Sequence, residues 1–427
     1  MRRRTIIATT IGLIVVGLLF RFSLMTYALY AMALAYIISV AFARTSLDGV
    51  RCARRIATDR AEIGDSLDVH AHLHNDKALP VLWVLVEEVV PQRLGRDGDF
   101  VKLFMLPPKA MRTLTYKLTF THRGYHQIGP VILESGDLFG FVRHLRTARH
   151  AHYITVRPRP VPISRYDPVT RRPIGDVRVR RQLYEDTTRL AGVRPYQVGD
   201  PLNRVHWRTT ARTGELHTRV YEHTVLMGAN IVLDFHEPAF EEAEVFDRSE
   251  LAITAAASIA NYLIDMKQTV GLLSNGLDAA ERVKREEGSQ ASRSRQEARE
   301  QARRREGEDR LRPVCVEPAR GPTQLGQILD ALARLELSEG MPLERMISEE
   351  AQGLSRDLSL VIIAPSLGPS LMQSVARLKF WGFLVTVVLV DNPEHMASAG
   401  PVLRSEGVGV VHIQGEQDLR VIAAGGL

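Results

Sequence analysis

At 427 residues the chain exceeds one ordinary domain, and with 45% apolar and 24% charged residues it has the make-up of a globular protein, which excludes a disordered or fibrous chain. The net charge of +6 is modest, and its arginines gather at the N-terminus, just behind the first apolar segments and in one late insertion. That distribution suits a membrane surface, and neither a nucleic-acid motif nor an interleaving of basic and aromatic residues accompanies it. Cys52 and Cys315 are the two cysteines; they cannot form a zinc cluster, nothing suggests a disulfide framework, and reduced thiols in the cytoplasm are the simplest reading.

Thr5 to Phe20 and Ser23 to Ala43 carry no charge, and Arg21 stands between them. Read as one helix, the stretch is nearly twice the roughly 20 residues that span a bilayer, so two transmembrane helices joined by a tight turn at Arg21-Phe22-Ser23 are predicted over residues 1–45. Arg2, Arg3 and Arg4 precede this hairpin and Arg44, Arg51, Arg54 and Arg55 follow it, whereas only Arg21 lies in the turn. The excess of basic residues at the two ends places both termini in the cytoplasm of an inner-membrane protein. A signal peptide is the competing reading, because Ala41-Phe42-Ala43 resembles a cleavage site. The apolar stretch is too long for a signal h-region, and a hairpin returns Ala43 to the side away from signal peptidase.

Residues 46–160 carry strand signals. Leu67 to His74 alternates at period two and ends on Asn75-Asp76; Val81 to Val90 is a longer apolar strand; Arg112 to Phe120 and Tyr125 to Leu133 alternate again. Short strands at this spacing predict a β-sandwich of immunoglobulin-like size. His70, His72 and His74 share one face of a strand, a spacing that can present zinc ligands, but Val69, Ala71 and Leu73 would form the buried face and leave the histidines wet. His150 and His152 read the same way.

Residues 161–227 read as a Pro- and Arg-rich linker followed by a motif, and residues 228–427 as an α/β domain. In the latter, Ala229 to Asp234, Thr269 to Ser274, Leu358 to Ala364, Phe383 to Val390 and Val408 to Ile413 are predicted strands. Ser249 to Met266, Thr323 to Leu335 and Ser370 to Phe380 are predicted helices. Strands alternating with helices imply a parallel sheet covered on both faces. An insertion at about 284–307 has only alanines for apolar side chains and reads as solvated and partly disordered, or as a basic arm for acidic lipid or a partner.

The motif runs from Arg194 to Glu222. Asp200 lies in a turn before Pro201 and could cap a helical turn over 202–208. Arg194, Arg204 and Arg212 offer forks for carboxylates such as Asp200, Glu215 or Glu222, and Trp207 is expected to bury its ring against the sheet. The constellation is either an internal brace or a binding surface. No P-loop and no G-x-S-x-G elbow is present, and no nucleophile sits in a recognisable context beside Asp200 and His206, so a non-catalytic chain is expected.

Arg194, Tyr196, Gly199, Asp200, Arg204, His206, Trp207, Ala211, Arg212 and Glu222 stand where the signature residues stand in the domain of unknown function 58 family, which this segment resembles. Arg123-Gly124-Tyr125, Gly129-Pro130 and Asp137-Leu138-Phe139-Gly140 match upstream. The resemblance implies a domain similar to a von Willebrand factor A fold after the motif. It also implies association with a MoxR-type AAA+ ATPase in envelope assembly or maturation. A metal-ion-dependent adhesion site in such a fold needs Asp-x-Ser-x-Ser; here Asp234-Phe235-His236-Glu237-Pro238 lacks both serines. Asp234, with Thr323 in the place of the loop threonine, is thus expected as a degenerate remnant without metal, and no cofactor is expected. The resulting expectation is a non-enzymatic membrane-anchored adaptor. The alternatives are a metal-dependent hydrolase using the strand histidines and a purely structural envelope component.

Overall fold

The computed structural model describes residues 11–12, 15, 23–91, 94–137, 142–148, 151–167, 184–197, 200, 204–224, 228–289, 312–390 and 400–423. It divides into two compact units, Met1–Arg157 and Pro158–Leu427.

In the first unit, helix α1 (Ser23–Ser46) is, among the described residues, the one helix long and apolar enough to cross a membrane, over Tyr27–Ser46. Most of the expected first crossing and its turn lie outside the described residues. Up to Ile38 the helix exposes long apolar side chains such as Tyr27, Met32 and Ile37; its last turns bury one face, with Ser39, Ala43 and Ser46, and leave Arg44 exposed. Eleven strands follow: β1 (Val50–Arg55), β2 (Arg60–Glu62), β3 (Ser66–Asn75), β4 (Val81–Glu88), β5 (Gly95–Gly98), β6 (Val101–Leu106), β7 (Met111–Thr119), β8 (Gly124–Ile128), β9 (Val131–Gly136), β10 (Arg143–Ala148) and β11 (His152–Arg157). They build two four-stranded sheets, β1-β3-β7-β5 and β10-β9-β4-β6, and one three-stranded sheet, β2-β11-β8. The period-two pattern behaves as expected on β3 and β7: Val69, Ala71, Leu73, Leu114, Tyr116 and Leu118 enter one core with Val84, Val86 and Leu133 of the second sheet. The single strand expected over Tyr125 to Leu133 is two strands, β8 and β9. Gly129-Pro130 breaks it, with Gly129 at φ +94° and no room for a Cβ beside the Arg54 guanidinium. Inside this core Arg54 and Glu88, 2% and 0% exposed, form an ion pair, and Arg54 also donates to the Ile128 carbonyl at 2.9 Å.

The second unit opens with β12 (Arg165–Asp167), then β13 (Tyr184–Pro195), helix α2 (Trp207–Thr213) and β14 (His217–Thr224). The strands β15 (Gly228–Leu233), β16 (Thr269–Ser274), β17 (Leu277–Asp278), β18 (Val314–Ala319), β19 (Leu335–Glu336), β20 (Ser359–Ala364), β21 (Val385–Leu389), β22 (Gly409–His412) and β23 (Val421–Ala423) follow. Helices α3 (Val245–Asp265), α4 (Ala279–Ser289), α5 (Pro322–Arg334), α6 (Leu343–Glu350) and α7 (Pro369–Phe380) alternate with them. The central sheet has the order β18-β16-β15-β20-β21-β22. All its pairs are parallel except β16–β18. That antiparallel strand is an edge with half its side chains exposed, which is why its sequence lacks the apolar run of its neighbours. Ile231 and Leu233 bury one face of β15 with α3 and α5; Val232 turns to the other face, covered by α6 and α7. The alanines of α3 (Ala252, Ala255, Ala256 and Ala260, all fully buried) bring that helix close to the sheet. Part of the expected linker belongs to this unit: β12 pairs with β23, and the Val161 amide donates to Ser258 Oγ at 2.8 Å. Of the charged insertion, residues 290–307 lie outside the described residues.

Candidate functional site

The motif is a two-stranded arm. β13 and β14 pair antiparallel from Tyr184↔Thr224 to Pro195↔His217, and the described residues between them form a small knot that carries α2. Asp200 organises its first half. Its carboxylate accepts from Arg194 Nη2 at 2.7 Å and from the Gln197 amide at 2.9 Å, while its carbonyl accepts from the Tyr196 hydroxyl at 3.1 Å. The Gln197 amide and then the Arg194 guanidinium hold the Asp200 carboxyl below the usual carboxylate range. Asp200 therefore closes its own turn. The helix cap expected of it belongs to His206, whose Nδ1 accepts from the Thr209 amide at 3.2 Å at the start of α2. Gly214 ends the helix at φ +76°, donating to the Thr210 carbonyl at 2.9 Å.

Trp207 corrects the sequence reading. The residue is 65% exposed, and α2 buries none of its residues. The reason is the helix phase: Thr209 and Thr210 turn toward the arm, where Thr210 Oγ1 accepts from the His217 amide at 3.1 Å. Trp207, Arg208, Ala211 and Arg212 are left on the outer side, all exposed. The ten-residue signature thus splits. Arg194, Tyr196, Asp200 and His206 brace the knot; Trp207 and Arg212 are displayed by it, with Arg204 half-buried between. Gly199 lies outside the described residues, as does the side chain of Glu222.

A second cluster sits on the α/β sheet where β15 and β20 end, the point at which the strand order reverses and the position at which such sheets form ligand crevices. Asp234, 4% exposed, accepts through Oδ1 from Asn275 Nδ2 at 2.9 Å and from the His236 amide at 3.2 Å. Asn275 also donates to the Met341 carbonyl at 3.0 Å and accepts from the Phe235 amide at 2.6 Å. Burial pushes the Asp234 carboxyl up to about 6, against the pull of the Asn275 hydrogen bond. Glu244, Arg248, Phe240, Pro365, Ser366 and Val390 line a small cleft at the same edge. Thr323 is not there. β18 runs antiparallel to β16 and ends with Ala319 opposite Val270, so α5 and its exposed Thr323 begin at the opposite, amino-terminal edge of the parallel strands. Asn275, in the Asn-Gly turn after β16, takes the place expected of Thr323 as partner to Asp234; a turn-forming Asn was the signal in the sequence.

The strand histidines are engaged separately. His70 and His72 face Thr115 and Thr113 across the β3–β7 pair at 3.2 and 2.9 Å, and His74 pairs with Asp76. His152 lies 3.2 Å from Arg54, and His150 is outside the described residues. Among the described residues, no group of three or more His, Cys, Asp or Glu could hold a metal ion.

Together these features define an α/β domain of doubly wound order that carries a braced, aromatic-tipped arm. Residues 192–396, which hold the knot and most of the α/β sheet, match the family model of the protein of unknown function DUF58. The chain is also 25% identical over 236 residues to the uncharacterized protein YeaD of Bacillus subtilis (strain 168), an alignment that takes in 54% of this chain and 57% of the length of that relative. Among solved structures, a portion of native alpha-2-macroglobulin from Escherichia coli aligns over 26% of this chain and 16% of its own, at 18% identity and a TM-score of 0.22. The CARDB domain of PF1109 from Pyrococcus furiosus aligns over 25% and 94%, at 19% identity and a TM-score of 0.19. Scores this low define no shared fold.

Proposed function

We propose that this protein is a non-enzymatic, membrane-anchored platform whose α/β domain is of the von Willebrand factor A type and whose partner-binding surface is the outer side of α2. The observation that carries the reading is Trp207, a large aromatic residue 65% exposed on a helix with no fully buried residue. A capped helix on a knot braced by Arg194, Tyr196 and Asp200 holds that ring in place beside Arg208 and Arg212. Rigid tryptophan and arginine are the side chains that dominate protein interfaces, because they bury much area at little entropic cost. The arginines select an acidic partner surface. The doubly wound order with one antiparallel edge strand supports the von Willebrand factor A reading, and Asp234, whose Oδ1 accepts from Asn275 and the His236 amide, supports a form of that fold that works without an adhesion-site metal. The apolar α1 and the uncharged stretch before it support a two-helix anchor with both termini cytoplasmic. The partner this reading names, from the family resemblance, is a MoxR-type AAA+ ATPase serving envelope assembly or maturation.

The test is crosslinking co-purification of the tagged protein from native membranes. Trp207→Ala/Arg212→Ala should lower recovery of the ATPase at least tenfold while the melting temperature holds. Undiminished recovery from that variant would remove α2 as the surface, and absence of any ATPase from the wild type would remove the adaptor reading.

A further inference from the structure

The end of the β-sandwich that meets α1 is tied together, and to that helix, by hydrogen bonds from Asn75, Lys77 and Lys109. Asn75, the last residue of β3, donates its amide to the carbonyls of Leu79 at 3.0 Å, Leu106 at 3.3 Å and Pro107 at 3.0 Å. The Lys109 amide donates to the Lys77 carbonyl at 3.2 Å. The two loops after β3 and after β6 are thereby joined into one rim. Lys77 Nζ then ties the rim to the anchor, donating to the carbonyls of Thr45 at 2.6 Å and Ser46 at 2.7 Å, two of the carbonyls that the end of α1 leaves without helical partners. Asp137, just past β9, lies at the same end, because β9 runs toward the start of β4, where Val81 faces Leu106. It accepts from Ser39 Oγ at 2.5 Å. The sandwich is thus clamped to α1 at both Ser39 and Ser46, and the exposed apolar part of the helix leaves from this end.

The rim is apolar and basic where it faces outward. Leu79, Met105 and Met111 are 57%, 63% and 58% exposed. Lys109 and Arg112 are exposed beside them, and Arg44 is exposed on the last turn of α1. Two acids lie at the rim: Asp76 is engaged by Arg51 at 2.6 Å and by His74, and the exposed Asp48 lies close enough to attract the Lys77 ammonium. Long apolar side chains interleaved with cations, at the foot of an apolar helix, have the composition of a surface lying in the headgroup region.

We propose that this rim is a lipid-binding surface: Leu79, Met105 and Met111 enter the boundary between headgroups and acyl chains, and Lys109, Arg112 and Arg44 pair with anionic headgroups. The proposal rests on α1 crossing the bilayer, and it adds that the sandwich is seated on the membrane instead of swinging from it. Anionic lipid is the occupant because the cations flank the apolar side chains and the rim is tied by Lys77 to the end of the apolar helix.

The test uses the full chain with Cys52→Ala and Cys315→Ser, carrying one new cysteine at Leu79, at Met111 or, as a control, at Ser66 at the far end of β3. Each is labelled with an environment-sensitive fluorophore and reconstituted into nanodiscs of phosphatidylcholine with or without phosphatidylglycerol. The labels at 79 and 111 should be blue-shifted and quenched by lipid spin-labelled in the headgroup region, more so with phosphatidylglycerol, while the label at 66 emits as in water. Lys109→Ala/Arg112→Ala should abolish the added effect of phosphatidylglycerol. Protein held in nanodiscs with water-like emission at 79 and 111 overturns the rim while leaving the anchor intact. Protein that fails to enter nanodiscs overturns both. A shift that ignores phosphatidylglycerol in the wild type overturns the headgroup pairing.

Discussion

Asp234 sits where burial opposes its charge, at the end of β15, and accepts from the Asn275 side chain and the His236 amide. Its folded-state value of about 6 lies above the ordinary 3.8, so the neutral form is the one the fold favours. The carboxyl therefore contributes stability that is complete below about pH 4 and is lost as the pH rises through about 6. Asp234→Asn should remove that slope and leave the protein more stable at pH 7 by on the order of 2 kcal/mol, read from denaturant unfolding at pH 4 and pH 7. An unchanged slope in the variant means another group carries it. Asp200 has the opposite sign: held low by the Gln197 amide and Arg194, it stabilises the knot above the ordinary carboxylate range and lets go as the pH falls through its own lower value. His206 works through geometry. Its replacement by Ala removes the acceptor for the Thr209 amide and should cost about 1 kcal/mol, with α2 fraying in hydrogen exchange before any other part of the arm.

At the scale of elements, the bend between β8 and β9 and the ion pair beneath it are one structure. Gly129 leaves the space that the Arg54 guanidinium fills, and Arg54 neutralises Glu88 in the sandwich core. Arg54→Met alone should destabilise the first unit by about 3–5 kcal/mol, since it strands a buried carboxylate. Arg54→Met/Glu88→Leu should recover most of that loss in thermal unfolding, because an apolar pair needs no desolvation. Failure of the double variant to recover would show that Arg54 matters through the Ile128 carbonyl and its other contacts instead. The arm makes a similar point. The cap expected at Asp200 belongs to His206, and the direction in which Trp207 points depends on the phase of a seven-residue helix against β14.

At the scale of the molecule, the two units carry different tasks: one clamps itself to an apolar helix, the other displays an arm and a doubly wound sheet. The reading of a cytoplasmic α/β domain is testable with a thiol already present. Cys315 is exposed on β18, whereas Cys52 is half-buried and its thiol is pushed by burial up to about 11. A membrane-impermeant maleimide should leave Cys315 unlabelled in intact cells and label it after permeabilisation. Labelling without permeabilisation would mean export, the outcome of the signal-sequence reading. The order of segments and most strand and helix limits were legible in the sequence, because hydrophobic period is a local property: β16 is Thr269–Ser274, as its apolar run predicts, and α5 starts one residue from the expected Thr323. The breaks at Gly129, the edge strand β18 and helix α6 were not, since each owes its form to what lies across from it.

The sequence by itself determined an apolar N-terminal helix, the strand-rich stretch before an α/β domain, and a dense motif between them, all of which follow from period, length and charge along the chain. Only the tertiary structure decided what each motif residue does. Asp200 turns back to Arg194 and Gln197, Asp234 is answered by Asn275 from the next strand, Thr323 falls on the far edge of the sheet, and Trp207 is left outside. The physical reason is the same in each case: a carboxylate or an aromatic ring takes its role from the groups that meet it in space, and those come from residues that a reading along the chain cannot bring together.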